Sequence, residues 1–295
     1  MRGPKPLTGG VAAVLLAVVA AVAAPQTSYE ESIQKWRRGL EAELRADDGW
    51  LTVIGLFWLK EGPNRVGTDP TSDIVLPKGS GPPRVGVFHF TKGHTTLEVE
   101  AGVPVLLNGR PAGTGALRPD ADKVALGDLT MFVIKRAERF AIRLRNRNSA
   151  LRKTFEGRVW FPVRASYRVI GRFVPYTPPR QIPILNVIGD VEPQPSPGYV
   201  VFSLNGRELR LDPIAEPGAR QLFFILKDQT AGAETYPAGR FLYADLPKDG
   251  RVELDFNKAI NPPCAFTPFA TCPLPPKQNQ LPVRIEAGER YAGHT

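Results

Sequence analysis

Two clusters of carboxylates stand close to polar partners in the last third of the chain. Asp228 and Glu234 flank the stretch DQTAGAET, and Asp255 ends RVELD, just ahead of Asn257 and Asn261. If the strands that carry them are neighbours, Asp228 and Asp255 converge at one sheet end. One carboxyl could then donate a proton while the other accepts one. Tyr236, Arg240, Asn257 and Asn261 would complete a polar cleft, with Arg240 as an anion clamp and Phe241 and Phe266 as its apolar wall. The same residues also have a structural reading. Asp228-Gln229-Thr230 has the form of an Asx-turn, Glu234 can pair with Arg240, and the two asparagines can bond backbone in a proline-rich loop. DQTAGAET does not match a calcium loop, because Thr230 and Gly232 stand where acids are required.

The cysteines and histidines narrow the chemistry further. Cys264 and Cys272 are separated by seven residues, wider than a zinc knuckle or a C-x-x-C redox motif, and no histidine lies near them. In an exported chain a disulfide is the default for two cysteines, and closing so short a loop stabilises by roughly 2–3 kcal/mol. Buried free thiols and a reactive or metal-binding pair are the other readings. The chain has three histidines, His89, His94 and His294, all distant in sequence from the cysteine loop. It contains neither a G-x-S-x-G elbow nor H-E-x-x-H, and no glycine-rich phosphate cradle. Neither a metal nor a cofactor is expected.

The elements that must hold these residues begin after a leader. Arg2 and Lys5 precede the uncharged run VAAVLLAVVAAVAA, too short to span a bilayer comfortably, with Ala21-Val22-Ala23 as a cleavage site. Residues 1–23 are therefore expected to be a cleaved signal peptide, giving an exported (periplasmic or secreted) protein with no stable membrane span after cleavage. The formal charge of +9 falls to about +7 without Arg2 and Lys5. The densest basic group, IRLRNRNSALRK, places Arg143, Arg145 and Arg147 on one face of a strand. A solvated edge strand explains that face, and nucleic acid is not an expected partner.

Thirty prolines and 28 glycines in 295 residues favour turns over long helices. One helix is expected over 24–49, capped by Ser28 with Glu31 and striped by Ile33, Trp36, Leu40 and Leu44. Residues 50–150 then break into short alternating runs, the pattern of a β-sandwich. NSALRKTF reads as a linker to a second antiparallel β domain over 151–295, either a curled sheet or a small barrel. Asn205-Gly206 suits a type I′ hairpin turn, and LPVRIEAGE reads as a late strand.

Two resemblances follow from these motifs. RVGTDPTSDIVLP, VGVFHF, LLNG and ALGDL make the first half similar to a forkhead-associated (FHA) domain, a phosphothreonine-reading sandwich. Where that family carries its phosphate-binding arginine and serine, this chain has Thr68 and Gly86, while His89 remains. The resemblance therefore implies the sandwich and counts against phosphopeptide binding. DGWLTVIGLFWLKEG, FVPYTPP, KDQTAGAETYPAGRFLYADLP and the segment from Leu254 to Glu289 resemble the bacterial family catalogued as domain of unknown function 1684, over nearly the whole mature chain. That resemblance implies a two-part β-rich protein and carries no reaction.

The expectation is an all-β protein, a helix-led FHA-like sandwich followed by a second β domain. Its C-terminal cleft, lined by Asp228, Glu234, Tyr236, Arg240, Asp255, Asn257 and Asn261, is expected to bind a small ligand or envelope component. A cofactor-independent hydrolase or lyase using Asp228 and Asp255 is the alternative, and a structural or interaction protein of the envelope is a third.

Overall fold

The computed structural model of the chain describes residues 24–291 together with 293; the expected signal peptide and His294 lie outside the described residues. Helix α1 (Ala24–Arg45) opens the described chain, four residues ahead of the cap expected at Ser28. Pro25 does not prevent this, since the first helical N–H groups have no partner inside the helix. The predicted stripe holds: Ile33 and Leu44 are buried, with Trp36 and Leu40 half-buried between them.

Eleven short strands follow as two sheets. One has the order β1 (Val53–Trp58), β11 (Arg139–Asn146), β10 (Leu129–Arg136), β9 (Val124–Leu126), β6 (Leu106–Leu107), β7 (Arg110–Pro111). The other has the order β3 (Ile74–Val75), β2 (Gly62–Gly67), β4 (Gly86–Thr91), β5 (His94–Val99), β8 (Thr114–Leu117). Inward residues of both sheets, among them Val66, Phe88, Leu97, Met131, Val133, Ile142 and Leu144, close one core. This is sandwich packing, in which alternate residues of each strand face the other sheet.

The arginine face departs from expectation. Strand β11 is an interior strand between β1 and β10, and Arg143 is 4% exposed, its guanidinium over the Trp50 ring at 5.0 Å. Arg145 is half-buried, so of the face expected to be solvated only Arg147 stays exposed, paired with Asp128. NSALRKTF is not a bare linker either. Ser149 caps a short helix, α2 (Ala150–Thr154), by accepting from Arg152 N, and its hydroxyl donates to Leu51 O at 2.5 Å.

The second half is built on a long hairpin. Strands β12 (Arg168–Leu185) and β13 (Val191–Leu204) pair antiparallel, extended by β14 (Arg207–Leu211) and β17 (Arg251–Asp255) in the order β14-β13-β12-β17. Asn205 and Gly206 both adopt positive φ (52° and 74°) at the β13–β14 turn, as a type I′ hairpin requires. Strands β15 (Gln221–Leu226) and β16 (Arg240–Asp245) form a separate two-stranded sheet. Both sheets contribute to one core containing Val200, Phe202, Leu222, Phe224, Leu242 and Leu254. Among the described residues no sheet closes into a barrel; the second half is an open four-stranded sheet with a separate two-stranded one. The expected strand at LPVRIEAGE forms no ladder; Leu281, Val283, Ile285 and Ala287 instead turn into that core from an extended segment.

Candidate functional site

The residues singled out in the sequence fall into two largely buried networks, one around Asp228 and one around Asp255, which touch at Glu289. Asp228 follows β15, and its Oδ1 accepts from the Thr230 backbone N–H (2.7 Å) and hydroxyl (2.6 Å), which is the Asx-turn of the structural reading. Its Oδ2 accepts from Arg240 Nη2 at 2.6 Å, with both side chains about 1% exposed. Arg240 also donates to the carbonyls of Ile285 (3.0 Å) and Ala287 (2.5 Å). The pair therefore ties the 228–240 loop to the extended C-terminal segment. Glu234 pairs with Arg284 rather than Arg240, and Tyr236 donates to Cys264 O at 3.2 Å.

The second network gathers around the end of β17. Asp255 Oδ1 accepts from the Tyr29 hydroxyl of α1 at 2.8 Å and from Asn257 N at 3.2 Å. Asn257, fully buried, accepts from Arg164 N (3.0 Å) and donates to Arg164 O (2.9 Å). Asn261 donates its backbone N–H to Glu289 Oε2 (2.8 Å) and its amide to Arg290 O (2.9 Å). Glu289 is buried against Arg158 at 2.5 Å, and burial pushes its carboxyl up to about 7 against the opposing pull of that arginine. Asp228 and Asp255 thus serve different partners, and neither expected aromatic wall residue is open: Phe241 and Phe266 are both buried. These side chains are spent on holding backbone segments together.

A larger opening lies elsewhere in the same half. A cleft of about 1010 Å³ runs between β12, β14 and the loop 274–280. It forms because the β12–β13 register breaks between Pro175 and Arg180, where prolines at 178 and 179 cannot donate to the ladder. The bulge swings Tyr176 and Arg180 into the cleft. Opposite, Asn279 is almost fully buried and fixes the loop: its Oδ1 accepts from Asp212 N (2.8 Å), and its Nδ2 donates to the carbonyls of Asp212 (2.9 Å) and Ile225 (3.0 Å). Leu274 N donates to Leu185 O at 2.7 Å and holds the loop's other end. At Gly239 a Cβ would lie 2.5 Å from Leu226 O and 2.6 Å from Pro275, so the floor accepts only glycine there.

The cleft is electropositive. Arg210 makes a two-point contact with Asp212 (Nε–Oδ1 2.7 Å, Nη2–Oδ2 2.9 Å), and Tyr176 donates to the same carboxylate at 2.7 Å while accepting from Arg210. Burial pushes the Tyr176 hydroxyl up to about 12. The Arg180 guanidinium lies 4.2 Å over the Tyr176 ring, and that of Arg210 lies 3.8 Å over Tyr199. Among the described residues, Arg180, Lys227 and Lys277 have no carboxylate partner within 4 Å. Four cations therefore line a cleft that contains one carboxylate, already engaged. Ile182, Leu185, Leu274 and Pro275 supply an apolar side. Sequence reasoning passed over these residues because they are dispersed along the chain. The signals available were FVPYTPP and PLPPKQN, which prove to be opposite walls of the same opening.

The FHA-type phosphate reader is altered in its geometry as well as its sequence. A Cβ on Gly86 would sit 2.2 Å from Glu98 O, leaving no room for a serine. Thr68 donates to Gly81 O at 3.3 Å, and His89 Nε2 contacts Glu98 at 3.0 Å. Among the described residues no three His, Cys, Asp or Glu side chains group to hold a metal, and no helix is long and apolar enough to cross a membrane.

Among solved structures, an uncharacterized protein from Haloarcula marismortui is 30% identical, matching 47% of this chain and 78% of its own, with a TM-score of 0.40. The FHA domain of FhaA is 19% identical over 30% of this chain and 97% of its own, with a TM-score of 0.23. An FHA domain of a Mycobacterium tuberculosis ABC transporter is 23% identical over 29% of this chain and 77% of its own, with a TM-score of 0.24. Comparison with curated proteins gives no match. The family described as "Protein of unknown function (DUF1684)" matches residues 153–290, a span that includes the Asp228–Arg240 network, the Asp255 network apart from Tyr29, the cysteine loop and the cleft, but not the DGWLTVIGLFWLKEG motif. With that match and the 30% identical relative, the chain belongs to the DUF1684 family.

Proposed function

We propose that this is an exported binding protein that holds a small anionic ligand with an apolar portion in the cleft between β12, β14 and the 274–280 loop. The observation that carries the reading is the charge imbalance: Arg180, Lys227 and Lys277 line the opening without a carboxylate partner, beside an aliphatic and proline wall. Such groups bind an anion by charge-assisted hydrogen bonds, and the low-dielectric wall strengthens them. The binding reading is favoured over hydrolysis because the cleft's one carboxylate, Asp212, is held by Arg210 and Tyr176, leaving no free base opposite it. Export rests on the basic, apolar start of the chain, and the helix–sandwich unit over 24–150 would serve as the support on which the binding half is mounted.

Isothermal titration of the full chain with decyl phosphate and with inorganic phosphate tests the reading. Saturable binding of decyl phosphate is expected, tighter than inorganic phosphate. It should weaken about tenfold or more in Arg180→Glu or Lys277→Glu, the effect of losing one charge-assisted contact of roughly 1.5–3 kcal/mol. Equal binding by wild type and both charge reversals would remove the cleft as the site.

A further inference from the structure

The C-x7-C spacing suggests a passive staple, and the folded loop brings its two cysteines together. Cys264 N donates to Cys272 Sγ at 3.1 Å and Cys272 N donates to Cys264 Sγ at 3.3 Å, so each sulfur sits against the other residue's backbone. The two cysteines are unlike: Cys264 is half-buried and Cys272 is 6% exposed. The loop between them is wedged onto the sandwich, where Thr267 donates to Val53 O (3.0 Å) and Arg136 Nε donates to Thr271 Oγ1 (2.8 Å).

That docking brings Arg143 to the pair. Its side chain is buried, its Nε and Nη2 have no hydrogen-bond partner, and its guanidinium lies over Trp50, which packs in one cluster with Cys264 and Cys272. A buried guanidinium without a counter-ion is costly, and a thiolate beside it would supply one. We infer that Cys264 and Cys272 form a reversible dithiol–disulfide couple, in which Cys264 exchanges with low-molecular-weight disulfides and Arg143 is its buried counter-charge. The asymmetry of the thiols agrees with these roles. The hydrogen bond from Cys272 pulls the Cys264 thiol down, whereas the Cys264 sulfur and burial push the Cys272 thiol up.

The chemistry balances with a small disulfide, R–S–S–R, as oxidant. Cys264 thiolate attacks one sulfur, forming a mixed disulfide and releasing one RS⁻. Cys272 then loses its proton and attacks the Cys264 sulfur, forming the internal disulfide and releasing the second RS⁻. The two cysteines together lose two electrons and two protons, and the oxidant becomes two thiols. The couple is independent of the anion cleft, although the oxidised loop leads directly into its wall at Leu274.

The test is an equilibrium titration of the native full chain in glutathione buffers of graded poise, read by intact mass after acid quench. Wild type is expected to pass reversibly between the dithiol and a form lacking two hydrogens, without denaturant. Cys272→Ser should accumulate one glutathione on Cys264, Cys264→Ser should accumulate none, and Arg143→Met should slow capture by about tenfold. The inference is overturned if both thiols stay unmodified until the protein is unfolded. It is equally overturned if the internal disulfide forms but glutathione reduces it only after unfolding, or if Cys272 is the residue that captures glutathione. The wild-type titration decides the matter even where a variant fails to fold.

Discussion

Arg240 and Asp228 form an ion pair in the interior of the second half, 2.6 Å apart with both side chains about 1% exposed. Arg240 also donates from Nη1 and Nη2 to the carbonyls of Ile285, Ala287 and Glu289, while its Nε has no partner. Removing one partner of such a pair leaves an uncompensated buried charge, at a cost of about 3–5 kcal/mol. Asp228→Ala should therefore lose stability on that scale in urea denaturation, and Asp228→Ala/Arg240→Ala should lose much less than the sum of the single variants. Additive losses would mean that the two side chains act separately.

Tyr29 reaches from α1 to Asp255, and Asn257 donates to the same hydroxyl at 3.0 Å. This clasp, together with Arg37 donating to Phe161 O at 3.2 Å, holds the helix to the second half. Tyr29→Phe keeps the ring and deletes the donor, so it should cost about 1.5–3 kcal/mol, as expected for a hydrogen bond to a charged acceptor. Limited proteolysis should then cut within 24–45 sooner than in wild type. An unchanged cleavage rate would mean that the packing of Ile33 and Leu44 and the arginine bonds to Phe161 O and Phe155 O hold the helix without the Tyr29 hydroxyl.

Local pattern carried the elements that depend on local physics. The stripe from Ile33 to Leu44, the alternation in β10 and the Asn205-Gly206 turn each specify their structure within a few residues. What failed depended on tertiary partners. Arg143 alternates like an edge-strand residue, yet β1 pairs on its other side, and the cysteine loop covers its face. Asp228 and Asp255 have the chemistry of an acid–base pair, and only the fold shows that Arg240 and Tyr29 claim them. The cleft was harder still to read, because Tyr176, Arg210 and Lys277 meet only after a proline-rich bulge and a buried Asn279 shape its two walls.

Glu289 gives the pH dependence. Its carboxyl is raised from 4.5 to about 7 by burial, so in that interval the folded state holds a proton that the unfolded chain has released. Stability from this group is therefore fully present below about 4.5 and declines as pH rises toward 7, by at most about 1.4 kcal/mol per unit. Glu289→Gln removes the titration, and its unfolding free energy should lack that decline. Parallel profiles for the two proteins between pH 4.5 and 7 would assign the proton elsewhere.

Among the described residues Arg143 has no carboxylate within 4 Å, and Asp120 offsets its charge only weakly. Burial first, then Arg136 and Arg145, lowers its guanidinium to about 10, a measure of how poorly its charge is accommodated. Replacing buried charge with a well-packed apolar side chain of similar length is often neutral or stabilising, by about 1–4 kcal/mol. Arg143→Met should therefore leave the reduced protein as stable as wild type, or more so, in urea denaturation with excess reductant. It gives up its stack on Trp50 and keeps the chain length that fills the space. A loss of more than about 1 kcal/mol would show that the guanidinium is worth more to the fold through that ring than its burial costs. Its retention in the chain would then follow from packing, with no role at the two sulfurs required.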